Sequence, residues 1–110
     1  MTVLAIAPIV WRDIDQILKY LEREAGKREA GKTVARWYGL KFDAGMEAIR
    51  ANPGAWPRRP RFGRLTRVYI VHPYLVFYDH FPDQKRARGI RVLHGRRNIT
   101  RRMFPNRGSR

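Results

Sequence analysis

Hydrophobic positions along this 110-residue chain change their period several times, and each change marks an element. Val3 to Ile6 reads as a short first strand. From Pro8, a residue favoured at the first helical position, Val10, Ile14, Ile17, Leu18 and Leu21 recur at helical spacing, and Trp11 widens the stripe. Asp13 and Asp15 suit the early turns of such a helix, Arg23 suits its last turn, and Gly26 marks the exit. A longer helix is expected from about Glu29 to Ala51, where Ala35, Tyr38, Phe42, Gly45 and Ile49 share a face. Gly39 and Gly45 each cost a helix interior about 1 kcal/mol against alanine, which points to close packing against the first helix. Asn52-Pro53-Gly54 ends the pattern.

A stretch rich in Pro, Gly and Arg then separates the helical part from three β segments, Arg67–Val71, Tyr74–Phe81 and Gly89–His94, with turns at His72-Pro73 and Pro82 to Lys85. The order is β-α-α-β-β-β: an α+β fold with a helical hairpin on one face of a small, mostly antiparallel sheet. The length supports a single domain, expected over residues 1–100, followed by a basic C-terminal tail, 101–110. No apolar run approaches the roughly 20 residues of a membrane span. The first residues lack the basic start of a signal peptide. The chain has no cysteine, which removes disulfides, thiol catalysis and cysteine zinc sites, and fits a cytoplasmic address.

Charge changes the picture most. Lys and Arg number 24 against 9 acidic residues, a net charge of +15. Residues 1–55 carry 9 basic and 7 acidic side chains; residues 56–110 carry 15 basic and only Asp79 and Asp83 on the acidic side, a net of +13. The attraction for polyanions, whether nucleic acid or an acidic protein, therefore sits in the C-terminal half.

The chemistry left open is narrow. The single serine, Ser109, lies in the tail, and there is no glycine-rich phosphate loop. His72, His80 and Asp79 form no recognisable set of metal ligands, so neither metal nor cofactor is expected. What remains is metal-free acid–base chemistry on a phosphodiester, or binding alone. Arg67, Tyr74, Tyr78, Arg91, His94, Arg96 and Arg97 are the candidate parts. Each also has a plain structural role available: Tyr74 and Tyr78 as sheet packing, Arg67 and Arg91 as strand-surface cations, His94 as a strand-end histidine, and the arginines at 96, 97, 101 and 102 as a solvated face. In the tail, Phe104 beside Met103 is expected to anchor on the sheet or on a partner, leaving Arg101 and Arg102 to meet acidic groups.

Val92-Leu-His-Gly-Arg-Arg-Asn-Ile99, following a β meander, resembles the closing signature of the RelE/ParE superfamily of type II toxins. Asp13-Ile-x-x-Ile-x-x-Tyr20 is similar to that group's first helix, Ile49-Arg-Ala-Asn-Pro53 to the end of its second, and Arg67 to Tyr78 to its Arg…Pro-Tyr-x-x-x-Tyr hairpin. The resemblance spans about residues 3–100, and the His-Gly-Arg-Arg-Asn ending is most similar to the ParE branch. It implies a toxin that inhibits a cellular target, DNA gyrase ranking first, and is held silent by a cognate antitoxin. The RelE branch, by contrast, cuts mRNA on the ribosome. By that resemblance Arg67 takes the place of the strand arginine and Arg96 or Arg97 that of the arginine after the last strand; were the chain a nuclease, Arg67, His94, Arg96, Arg97 and Tyr78 would be its catalytic candidates. For target or antitoxin binding, the candidates are Arg67, Tyr74, Arg91, His94, Arg96, Arg97, Arg101, Arg102 and Phe104. The chain departs from the nuclease pattern in having no tyrosine after Tyr78 and no carboxylate in 57–64, and it has Ala7 where a capping Ser or Thr is usual and Val68 where ParE-like chains often carry Glu. A third reading is a non-toxic basic module that binds nucleic acid passively.

Overall fold

A computed structural model describes residues 2–24 and 29–105. Strand β1 (Val3–Ile6) leads through Ala7 into helix α1 (Pro8–Glu24), and helix α2 (Glu29–Ala51) returns beside it. Strands β2 (Thr66–Val71), β3 (Tyr74–Phe81) and β4 (Arg86–His94) follow, with short 3-10 turns at Pro60–Phe62, Pro82–Gln84 and Arg101–Met103. The expected exit at Gly26 lies outside the described residues. The sheet order is β1-β4-β3-β2; β2, β3 and β4 form an antiparallel meander, and β1 runs parallel to β4. This is the α+β arrangement that the sequence pattern predicts.

The helices cover one face of the sheet. Val10 and Ile14 of α1 and Phe42, Met46 and Ile49 of α2 pack against Tyr74, Val76, Tyr78, Ala87 and Val92. The two helical glycines do different things. Gly39 faces Leu18 of α1, whose Cδ1 would lie 3.8 Å from an added Cβ. Gly45 turns to the sheet instead, where a Cβ would fall 2.9 Å from the ring of Tyr69. The expectation of close packing against the first helix thus fails for Gly45, while Gly39 does face α1, with ordinary room for a methyl.

Strand β4 starts three residues earlier than its apolar pattern suggests. Arg86, Ala87 and Arg88 pair with β1 on one side and with Phe81, His80 and Asp79 on the other. Ala87 is buried, while the flanking arginines hide the strand signal; the Arg86 guanidinium lies 4.7 Å from the centre of the Phe81 ring. A bulge at Ile90, between the pairs Tyr78–Gly89 and Phe77–Arg91, then shifts the alternation. Ala87 and Val92, an odd number of residues apart, consequently face the helices together.

The opposite face of the sheet carries a second core. Val68, Phe77, Ile90 and Leu93 are covered there by Phe62 from the Pro/Arg-rich loop and by Ile99 and Phe104 from the C-terminal segment. The Phe104 ring lies 5.3 Å from Phe62 and 5.1 Å from Phe77. Phe104 therefore anchors on the sheet of its own chain; residues 106–110 are outside the described part.

Candidate functional site

Where β1 ends, the edge of β4 opens. The last bond from this side is Ala7 N–H to the Gly89 carbonyl, at 3.0 Å, because Pro8 then turns the chain into α1. The next edge amide, Val92 N–H, is met by a side chain in place of a strand. Asp13 Oδ2 accepts it at 2.9 Å. Both carboxylate oxygens also take the Arg91 guanidinium, Nε at 2.8 Å and Nη2 at 2.7 Å, while Nη1 donates to the Met103 carbonyl at 2.5 Å. Asp13 is 7% exposed. One carboxylate and one guanidinium thus join α1, the free edge of β4 and the C-terminal segment. The fork of Arg91 is committed to this clip.

Beyond Val92 no strand pairs with this edge among the described residues, and a cleft of about 310 Å³ opens between it and α1. Gln16, Ile17 and Tyr20 form the helix wall; Tyr74, His94 and Arg97 form the other. Tyr74 stands opposite His94 in the register, and the rings meet edge-on at 5.4 Å. Burial pushes the Tyr74 hydroxyl above its usual range, and the nearby phenols of Tyr38 and Tyr20 add to that. His94 begins a tight turn, with Arg97 N–H donating to its carbonyl at 3.0 Å and Arg96 N–H donating to its Nδ1 at 3.0 Å. With Nδ1 accepting, the ring proton of the neutral form sits on Nε2. In this turn Gly95 N–H donates to the Pro73 carbonyl at 2.8 Å, an approach that leaves an added Cβ 3.1 Å from that oxygen.

The other sequence-predicted residues lie elsewhere. Tyr78 is wholly buried and donates its hydroxyl to the Pro53 carbonyl at 2.5 Å, tying β3 to the end of α2. Burial pushes this phenol up to about 12, against a smaller opposing pull from Arg67. Arg67 pairs with Tyr78 across the strands and donates Nη1 to the Trp56 carbonyl at 2.7 Å. Tyr74 and Tyr78 are four residues apart, so the Arg67–Tyr78 pair stands about 13 Å along the sheet from His94. Tyr74, His94 and Arg97 come together, and Arg96 belongs to the same turn; Arg67 and Tyr78 form a separate group. Arg101 and Arg102 are exposed on their 3-10 turn and make no ion pair among the described residues.

By charge alone Asp13, like Asp15, suits the early turns of α1; the structure puts neither in the first turn and gives Asp13 a different role. A signal for its role exists: it is three residues from Val10 and four from Ile17, so it sits on the apolar stripe where a carboxylate needs a partner. Among the described residues no group of three or more His, Asp or Glu could hold a metal ion, and no helix is long and apolar enough to cross a membrane.

The family model described as ParE toxin of type II toxin-antitoxin system, parDE, matches residues 4–99, which include both helices and, but for Val3, all four strands. The chain belongs to this ParE toxin family, and membership implies an antitoxin partner. No curated protein matches the chain.

Proposed function

We propose that this ParE-family toxin acts by binding rather than by cutting RNA, that its target is DNA gyrase, and that it works in the cytoplasm. The observation that carries this reading is the separation of the groups a nuclease would need. Arg67 and Tyr78 stand about 13 Å from His94 along the sheet, outside the cleft that His94 shares with Tyr74 and Arg97. Tyr78 spends its hydroxyl on Pro53 and is pushed up to about 12, away from useful proton transfer at neutral pH. Arg91 is held by Asp13.

The antitoxin we infer is an acidic, amphipathic segment that orders on the toxin, drawn by the net +13 of residues 56–110. A specific contact should bury more than about 1,000 Å². The second reading, a ribosome-dependent endoribonuclease, is favoured by one feature: His94 shares its cleft with Tyr74 and Arg97. Induced expression in a bacterial host separates the two. The gyrase reading expects a DNA-damage response before any fall in translation, and growth restored by the antitoxin. The ribonuclease reading expects cleaved mRNA and early loss of translation, with His94→Ala and Arg97→Ala abolishing the cuts while the protein stays folded.

A further inference from the structure

At the far end of the sheet from the His94 cleft, three arginines are held together with no acid between them. Arg58, Arg64, Arg67 and His80, with Leu65 and Pro82, line a pocket of about 210 Å³. The arrangement is fixed by backbone. Arg58 pairs with Arg67 as an antiparallel bridge, flanked by Val68 N–H to the Pro57 carbonyl at 2.9 Å and Arg59 N–H to the Thr66 carbonyl at 2.7 Å. Phe62, buried in the second core, pins the loop between them. His80 N–H donates to the Leu65 carbonyl at 3.0 Å, which brings the imidazole strand and Arg64's neighbour together.

This packing works against stability. Like charges directly opposite one another across a strand pair repel, and here a third arginine joins them. None of the three makes an ion pair among the described residues, and no carboxylate lines the pocket. Burial and the Arg67 charge both hold the His80 imidazole below its usual range. The backbone bridge places Arg58 beside Arg67, whose Nη1 is held by the Trp56 carbonyl, so an anion entering the pocket would meet cations gathered on one side of the sheet. Guanidinium forks suit the oxygens of a phosphate. Arg59 and Arg61, exposed on the same loop, extend the positive surface beside the pocket as a chain of linked phosphates would require.

We propose that the Arg58–Arg64–Arg67–His80 pocket binds a phosphodiester of a nucleic-acid backbone. The site is distinct from the His94 cleft and does not depend on the identity of the toxin's target. A dye-labelled DNA duplex of arbitrary sequence is titrated with the full chain by fluorescence anisotropy between 50 and 200 mM salt. The double variant Arg58→Gln/Arg64→Gln is compared with Arg12→Gln/Arg36→Gln, which removes the same charge from the exposed helical side. The pocket variant should bind about tenfold or more weakly and lower the salt slope by about two, while the helical variant changes little. Arg58 and Arg64 are exposed, so their loss leaves the fold intact, which circular dichroism verifies. In NMR titrations the His80 ring should shift on adding duplex, with its protonation moved upward, while His72 does not. A single-stranded RNA giving the same His80 shift identifies the backbone phosphodiester as what is read; inorganic phosphate giving a weaker shift at the same residue supports the same chemistry. Equal weakening by the two double variants, or a glutamate-rich peptide that shifts His80 as strongly as the duplex does, would overturn the proposal.

Discussion

Asp13 does at one residue what an absent strand would do over several. It accepts the edge amide of Val92 and neutralises Arg91, which in turn holds Met103. Replacing it by alanine leaves a guanidinium buried without its counter-ion, and breaking a buried pair this way costs about 3–5 kcal/mol. Urea unfolding of Asp13→Ala should show a loss of that order; a loss under about 1 kcal/mol, the range of a surface pair, would contradict the clip. Tyr78 gives a second check. Its phenol ionises near 12 in the folded chain against about 10 when unfolded. The protonated form is favoured by folding, so its contribution is complete below pH 10 and is lost as pH rises from about 10 to 12. Tyr78→Phe should remove that part of the alkaline destabilisation and cost about 1 kcal/mol at neutral pH through the lost hydrogen bond to Pro53. At this scale the sequence was legible for residue type and poorly legible for commitment. Arg91, Tyr78 and Arg67 could be picked out as strand-borne polar groups, but nothing in their spacing revealed that the first two are occupied by Asp13 and Pro53.

Among the elements, the helices and β3 could be read because apolar positions recur with one period over many residues. The start of β4 could not, since Arg86 and Arg88 flank the single buried Ala87. The second core was legible only at Phe104, which stands beside Met103; Phe62 and Ile99 lie in irregular segments without a period, and the three meet only through the fold. Phe104→Ala should therefore cost about 3 kcal/mol or more in thermal or urea unfolding, although the residue lies in what reads as a basic tail. Truncation after Asn98 should uncover Phe62 and Phe77 and raise binding of a hydrophobic dye. The two helical glycines predict opposite signs. Gly39→Ala has ordinary room beside Leu18 and should gain up to about 1 kcal/mol from helix propensity. Gly45→Ala drives a methyl into the Tyr69 ring, which is itself stacked edge-on with Trp56 at 4.7 Å, and should destabilise. Equal effects from the two, measured by thermal unfolding, would mean that α2 does not bear on β2 through Gly45.

For the whole molecule, the basic C-terminal half contributes two cationic places at opposite ends of the sheet. One end of the sheet holds the His94 cleft beside an open strand edge; the other holds the arginine pocket. Family membership supplies the antitoxin, and the field of the C-terminal half should speed its arrival. The association rate should fall steeply between low and physiological salt while dissociation changes less, a pattern readable by stopped-flow mixing. On the gyrase reading, the toxin acts by binding that enzyme. The most direct test of that reading is purified chain added to gyrase, relaxed plasmid and ATP, with the same chain added in parallel to a reconstituted translation system. Inhibited supercoiling that the antitoxin reverses, with intact mRNA, is the expected result; unimpaired supercoiling with mRNA cut on the ribosome would contradict gyrase as the target.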